Sequence, residues 1–389
     1  MRILLLAPHP FFQDRGTPLA EKSILEFLSG EGHEVDVLTY HEGEDVVLPG
    51  CRIFRIPRIP GVRNVRPGFT LKKVLCDAVM FGSAARLMRQ RRYDLVHAVE
   101  ESVVIAAMLG KALKIPYIYD MDSSLPEQLV ETFPLASPLA PVLRTVERHA
   151  IRGSHGVIAV CRAVEDVART HASDVFIARV EDSTLLSDDD GGLAAALPAG
   201  GPTVMYVGNL ERYQGIDLLL EAFAQAAPRV PDARLVIVGG SVEGIAAYRS
   251  RAAALGIADR IHWAGQQSVR SLGGYLRQAD VLVSPRLQGQ NTPMKIYSYL
   301  DSGRPVVATR IPTHTQVLDD EIAELVEPSP SAMAEGIVAL LQDPVRRTAL
   351  AAKAKERVRA QYTPAAARRK LRDFYQRIQA AIAAGETAA

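Results

Sequence analysis

Residues 203–223, TVMYVGNLERYQGIDLLLEAF, decide the architecture. The run opens with apolar residues of strand type, as a strand buried on both faces requires. Gly208 closes it, a polar turn follows, and Ile216, Leu219, Leu220 and Phe223 then recur at helical spacing. One strand–turn–helix unit followed by another implies parallel strands joined by helical crossovers. Outward from this stretch the same unit repeats in both directions. C-terminal to it, strands are predicted at 234–239, 261–264, 281–284, 305–309 and 324–327, with helices near 216–227, 243–255, 269–278, 294–301 and 331–341. A long helical tail from Pro344 is interrupted before Pro364. N-terminal to it, strands are predicted at 2–8, 35–40, 52–56, 94–99, 116–121, 156–161 and 175–180, with helices near 18–29, 70–91, 103–113, 139–152 and 163–171. Pro18 suits a first helical position because its missing N–H has no helical partner there anyway.

The two series are separated by residues 187–202, SDDDGGLAAALPAGGP, where a charge run, glycines and prolines replace any periodicity. The expected organisation is a first domain over 1–186, a linker over 187–202, a second domain over 203–362 and a final helix over 363–389. A chain of 389 residues fits two domains better than one core. Hydrophobic residues at 48% and charged residues at 23% are ordinary for a folded chain, and a net charge of +1 gives no global case for binding nucleic acid. Cys51, Cys76 and Cys161 are an odd set without metal-ligand spacing and read as structural thiols of a reducing compartment. The longest apolar stretch, 103–121, is broken by Lys111, Lys114 and Pro116, so no membrane span is expected. The chain enters a strand directly after Arg2, without the pattern of a signal peptide, which places the protein in the cytoplasm.

In open doubly wound sheets ligands bind beyond the strand C-terminal ends. A dinucleotide would call for Gly-x-Gly-x-x-Gly after the first strand of a half, yet HPFFQDRGTP follows one and GNLERYQG the other. The nearest fragment, Gly239 to Gly244, has the wrong spacing, and there is no P-loop. Both absences set the dehydrogenase and kinase readings below a transferase.

From Tyr206 onward the chain resembles the retaining family 4 of glycosyltransferases. The resemblance is carried by YVGNLERYQGIDLLLEAF (206–223), ARLVIVGG (233–240), RIHWAGQQ (260–267), ADVLVSP (279–285) and NTPMKIYSYLDSGRPVVATRIPTHTQVL (291–318). A looser match covers RILLLAPHPFFQDRGTP (2–18), GHEVDVLTY (32–40), DLVHAVEES (94–102) and YDMDSSLP (119–126). It implies the α/β GT-B fold, two Rossmann-like, doubly wound parallel-sheet domains facing a central cleft. It also implies a UDP- or GDP-linked sugar donor bound mainly by the second domain, an acceptor bound by the first, no cofactor, no metal, and a last helix that crosses back to the first domain.

Retaining transfer without a metal needs N–H donors and cations around the departing diphosphate. The turn Gly208–Gly215, the loop Gly289-Gln290-Asn291-Thr292, and Gly16-Thr17 after the first strand can all present backbone amides to a phosphate. Each also reads as an ordinary turn. The family places Arg and Lys where this chain has Asn209 and Gln214, so Arg212, Arg286 and Lys295 are the candidate replacements. The family's two glutamates, with seven residues between them, one for the donor sugar and one for the ribose, become Gln290 and Ser298, which still hydrogen-bond hydroxyls but carry no charge. The family histidine after the fifth strand becomes Asp122. This carboxylate suits a sugar hydroxyl, the acceptor's proton, or a cap on the next segment. Glu100 is a second carboxylate at the same edge, while His97 reads as a core residue.

Residues 52–92 hold Arg52, Arg55, Arg58, Arg63, Arg66, Lys72, Lys73, Arg86, Arg89, Arg91 and Arg92 against Asp77, interleaved with Phe54, Ile56, Ile59, Val62, Val65, Phe69 and Leu71. Such a segment suits peripheral contact with an anionic membrane at its inner face and a lipid-linked acceptor; a basic groove or a solvated loop is the plainer alternative. The basic tail over 346–377 alternates with alanines at helical spacing and reads as a docked helix. The function expected is transfer of a sugar to a glycan, glycolipid or small-molecule acceptor with retention. A nucleotide-sugar 2-epimerase and a non-catalytic nucleotide- or sugar-binding protein are the alternatives.

Overall fold

A computed structural model describes residues 1–13, 16–65, 70–132, 134–186, 194–198 and 200–385. The chain forms two compact units, one of Met1–Glu181 completed by the segment from Ala367, the other of Asp182–Ala366. The first runs β1 (Arg2–Ala7), α1 (Gly16–Gly30), β2 (Glu34–Thr39), β3 (Cys51–Arg55), α2 (Leu71–Gln90), β4 (Leu95–Val99), α3 (Ser102–Leu113), β5 (Tyr117–Met121), α4 (Leu125–Thr132), α5 (Ala140–Arg152), β6 (Val157–Ala159), α6 (Arg162–His171) and β7 (Ile177–Arg179). The second runs β8 (Thr203–Val207), α7 (Ile216–Ala226), β9 (Arg234–Val238), α8 (Val242–Ala254), β10 (Ile261–Gly265), α9 (Leu272–Leu276), β11 (Val281–Ser284), α10 (Lys295–Asp301), β12 (Val306–Thr309), α11 (Pro312–Thr315), β13 (Glu324–Val326), α12 (Pro330–Gln342) and α13 (Pro344–Gln361). A last helix, α14 (Pro364–Ala383), belongs mostly to the first unit.

Both sheets are parallel, ordered β3-β2-β1-β4-β5-β6-β7 and β10-β9-β8-β11-β12-β13. The inner strands, such as β1, β4, β5, β11 and β12, bury both faces, which is why the sequence shows apolar runs rather than alternation. In β1, Leu4 and Leu6 enter one core with Met80 and Ala106, whereas Ile3, Leu5 and Ala7 enter another with Leu25 and Leu28 of α1. The second core also takes Leu371, Phe374, Tyr375 and Ile378 from α14. Phe374 stacks on Phe176 at 5.4 Å, and Arg372 pairs with Glu31 at 2.6 Å.

All thirteen predicted strands are present, most within one residue at either end. Helix α1 begins at Gly16 rather than Pro18, so Gly16 and Thr17 form its first turn. The helix predicted over 269–278 is a 3-10 turn, Val269–Ser271, followed by the short α9, where Gly273 and Gly274 weaken helical propensity. Helices α4 and α11 and the 3-10 turn Pro134–Leu139 were not expected, being short and rich in proline. Part of the supposed linker, residues 187–193 and 199, lies outside the described residues. The rest is not free: the Leu197 amide donates to Gln278 Oε1 at 2.9 Å, and Gln278 Nε2 donates to the Ala195 carbonyl at 3.1 Å. Ala194 and Leu197 lie on the second unit's core.

Candidate active site

In the second unit the strand order reverses between β8 and β11, and the loops leaving these neighbours flank the crevice where such sheets bind ligands. Gly208 leaves β8 with φ of 148°, and a Cβ there would lie 2.7 Å from Lys295 Nζ. Only glycine lets the lysine reach the β8 edge. Lys295, on the first turn of α10, sits with Nζ 4.0 Å from the Tyr206 ring centre and donates to Gln214 Oε1 at 3.1 Å. Among the described residues no carboxylate lies within ion-pair distance of it. Burial, reinforced by the nearby Arg286 guanidinium, pushes the Lys295 ammonium well below its ordinary pKa.

Arg286, two residues past β11, is buried. Its guanidinium lies 5.2 Å from the Tyr213 ring centre and donates to the Gln288 carbonyl at 2.6 Å and to Asn291 Oδ1 at 3.3 Å. Gly289 has φ of 118°, and a side chain there would collide with that guanidinium. Thr292 is 3% exposed, yet its hydroxyl has no hydrogen-bond partner among the described residues. A buried hydroxyl without a partner is costly unless something else supplies one. The Gln290 carbonyl accepts from Gln316 Nε2 at 2.7 Å, which pins the loop.

The structure therefore brings Gly208, Gln214, Arg286, Asn291, Thr292 and Lys295 to one strand edge. Asn209 and Arg212 are exposed; Asn209 Oδ1 accepts from the Glu211 amide at 3.4 Å, and Arg212 opens a 3-10 turn before α7. Ser298 corrects the expectation of a ribose contact. It is fully buried, and its Oγ accepts from the Leu185 amide at 3.0 Å, fastening the segment that enters this unit. Two supporting residues escaped the sequence reading. His314, wholly buried, lies 2.9 Å from Ser284 Oγ through Nε2 and 2.8 Å from the Thr309 carbonyl through Nδ1. Burial holds it down to about 4, so it is a neutral brace between β11 and β12. Tyr206 supplies the aromatic face beneath Lys295, although its place in an apolar strand marked it only as core.

In the first unit the strand order reverses between β1 and β4. Glu100 follows β4 with φ of +47°, a conformation uncommon for a residue with a side chain. Its carboxylate accepts from Ser123 Oγ at 3.3 Å, and burial raises its pKa. Asp122 is half-buried on the loop after β5. The start of α4 is fastened by Glu147 of α5, which accepts from Ser124 Oγ at 3.0 Å and the Leu125 amide at 3.1 Å. Gly16 is exposed, and a Cβ added there meets nothing within 4 Å, so protein packing does not demand glycine. His97 is buried as expected, between Asp120 Oδ2 at 3.1 Å and the Tyr375 hydroxyl at 2.5 Å. Two further residues gather at this edge without having been singled out. His9 Nε2 lies 2.9 Å from Glu21 Oε2.

Much of the basic segment serves the fold. Arg52 and Arg91 both pair with Asp36, at 2.9 and 3.2 Å. Arg55 donates to the Phe11 and Glu42 carbonyls, and Lys73 pairs with Glu101 at 2.6 Å. Ile56, Val62 and Val65 are core residues rather than surface ones. Arg66 and Phe69 lie outside the described residues. Arg58, Arg63, Lys72, Arg86, Arg89 and Arg92 are exposed, beside the exposed apolar Leu71, Val74 and Leu75 of α2. Among the described residues no helix is long and apolar enough to cross a membrane.

Two parallel-sheet units, each with a polar cluster at its topological switch point, define a two-domain, doubly wound α/β protein with a ligand-binding edge in each unit. Residues 22–181 match the family model for the glycosyl transferase 4-like domain, and residues 201–343 match that for glycosyl transferases group 1. The chain belongs to the family 4, group 1 glycosyltransferases and has the GT-B fold. A curated relative, the phosphatidyl-myo-inositol mannosyltransferase of Mycolicibacterium smegmatis, is 26% identical over 371 residues, covering 92% of this chain and 89% of that protein. Sucrose-phosphate synthase from Thermosynechococcus elongatus superposes with a TM-score of 0.78 at 22% identity, covering 98% of this chain and 99% of its own. Anabaena HepE, solved in complex with UDP-glucose, superposes with a TM-score of 0.72 at 15% identity over 97% of this chain and 99% of its own.

Proposed function

We propose that this glycosyltransferase moves a sugar, with retention and without a metal, from a UDP- or GDP-linked donor held by the second unit to an acceptor held by the first. The observation that carries the reading is the pair of cations, the half-buried Lys295 and the buried Arg286, beside the unpartnered Thr292 hydroxyl at the β8/β11 edge. A desolvated lysine without a carboxylate is an unfavourable arrangement that an anionic ligand relieves. As the sugar C1–oxygen bond breaks, negative charge grows on the diphosphate, and cations already in place stabilise it without reorganisation. The acceptor oxygen bonds to C1 on the face the diphosphate leaves, and its proton passes to a departing phosphate oxygen. Glu100 and Asp122 orient the acceptor hydroxyl.

The protein acts in the cytoplasm on a membrane-linked acceptor, with Leu71, Val74 and Leu75 seated on an anionic surface among exposed basic residues. Thermal-shift measurements with UDP, GDP, ADP and their sugar conjugates test the donor site. One nucleotide is expected to raise the melting temperature of the wild type and not of Lys295→Ala. No shift with any of them overturns the donor assignment. Nucleotide binding without transfer to any acceptor favours the binding-protein reading that the uncharged Gln290 and Ser298 motivate.

A further inference from the structure

Two partly enclosed lysines of this chain are held in opposite ways. Lys73 has Glu101 at 2.6 Å, and against burial that carboxylate raises its pKa. Lys295 has no such acid among the described residues; its Nζ donates to Gln214 Oε1 at 3.1 Å and rests 4.0 Å from the Tyr206 ring centre. An ammonium has three N–H donors to satisfy, and one amide oxygen with one aromatic face leaves that set incomplete. Burial, and after it the Arg286 guanidinium, favours the uncharged amine. Gly208 keeps any side chain away from the same nitrogen, since a Cβ there would lie 2.7 Å from Nζ. Lys295 is half-buried rather than sealed, so a small molecule reaches it from solvent.

A neutral, reachable amine is a nucleophile. Its surroundings favour a product that carries negative charge. The hydrogen bonds that Arg286 makes to the Gln288 carbonyl and Asn291 Oδ1 leave its positive charge intact. The Thr292 hydroxyl, buried and without a partner among the described residues, is an O–H donor in reserve at the same edge. We infer that Lys295 is a carboxylation site, taking up carbon dioxide as a lysine carbamate whose anion is held by Arg286. The Nζ lone pair attacks the carbon of carbon dioxide, and a C–N bond forms as one C–O π pair moves onto oxygen. A proton passes from nitrogen to water, and the step consumes no other reactant. The charge carried by this side chain then changes from one that repels Arg286 to one that attracts it. A donor diphosphate would meet an anion in place of a cation, so carbon dioxide competes with the donor. The adduct goes beyond the proposed function; the competition rests on its donor assignment.

Trapping on the full wild-type chain tests it. In isotopically labelled bicarbonate buffer near neutral pH, triethyloxonium ions convert a carbamate to a stable ethyl ester, and peptide mass spectrometry locates the label. Lys295 is expected to carry about ten times the label of the exposed Lys111 and Lys353. Arg286→Gln is expected to lower that label about tenfold. Label on Lys295 no greater than on Lys111 and Lys353, or undiminished in a folded Arg286→Gln, overturns the inference. Because the wild-type comparison stands by itself, failure of the variant to fold leaves the test decisive. Nucleotide thermal shifts, run with and without bicarbonate, separate this inference from the donor assignment. Bicarbonate is expected to reduce the shift in the wild type and to have no effect on Lys295→Arg. A nucleotide shift with no label on Lys295 removes only the carboxylation site. A labelled Lys295 without any nucleotide shift removes the donor assignment and leaves the carboxylation site standing. A labelled Lys295 with the same shift in both buffers overturns the competition.

Discussion

The Lys295 ammonium lies 4.0 Å from the centre of the Tyr206 ring, a half-buried cation held by an aromatic face and an amide oxygen rather than by an acid. Cation–π contact and one neutral hydrogen bond compensate desolvation only partly. Because its pKa is lowered in the folded chain, the unfolded chain binds the proton more tightly, and stability rises with pH toward the ordinary value of 10.5. Lys295→Met is expected to remove that alkaline slope, raise stability of the unliganded protein by about 1 kcal/mol and weaken nucleotide binding at least tenfold. Denaturation at neutral and alkaline pH, with nucleotide titration of the same variant, checks all three.

Thr292 makes a parallel case with a neutral group. Replacing its unpartnered hydroxyl by a methyl in Thr292→Val is expected to stabilise the unliganded protein by about 1 kcal/mol while lowering nucleotide affinity severalfold. A variant that loses stability would mean that the hydroxyl already has a partner.

Acidification should act oppositely on the two units. His314 is held down to about 4 from 6.5, so its unfolded form takes the proton first, and the second unit weakens as pH falls through that interval, by about 3 kcal/mol. Glu147 is pushed up to about 7 from 4.5, chiefly by burial, so the first unit weakens as pH rises through its interval by a similar amount. Trp263, the single tryptophan, sits on β10 and reports on the second unit by fluorescence. His314→Asn should flatten its pH response. Glu147→Gln should flatten that of the first unit, followed by hydrogen exchange of β4 and β5. Unaltered slopes in both variants would refute the assignment.

Membrane contact predicts that the wild type co-sediments with phosphatidylglycerol-rich vesicles and less with phosphatidylcholine alone. Leu71→Ser with Leu75→Ser should abolish it, and Lys72→Glu with Arg63→Glu should weaken it severalfold and remove its salt sensitivity. Equal sedimentation on neutral and anionic vesicles would exclude the basic face as the cause.

Strands were legible because parallel strands buried on both sides are written as apolar runs, and Leu4 and Leu5 need not differ in polarity to face opposite cores. Lys295, Arg286 and the 289–292 loop were legible for another reason, their fixed offsets from the strand before them. Ser298 was misread because offset says where a residue lies and not which neighbour its hydroxyl meets; its partner, Leu185, is 113 positions away. His9 and Glu21 were invisible for the same reason. A histidine after one strand and a glutamate in the next helix mean nothing until the helix turns one toward the other. Arg52 and Arg91 looked like surface charge until Asp36, on a neighbouring strand, proved to hold both.

Tyr375 and its neighbours on α14 carry a consequence for the order of assembly. The smaller of the first unit's two core clusters, around Ile3, Leu5 and Ile118, is closed by Leu371, Phe374 and Ile378. During synthesis those residues emerge only after all of Asp182–Ala366, on the order of tens of seconds later at ordinary elongation rates. For that interval the nascent first unit carries an open apolar face and a His97 imidazole without its tyrosine. The part of the protein that begins to fold first is therefore the last to be finished, and a ribosome that stalls within the second unit leaves behind a sticky half-built sheet.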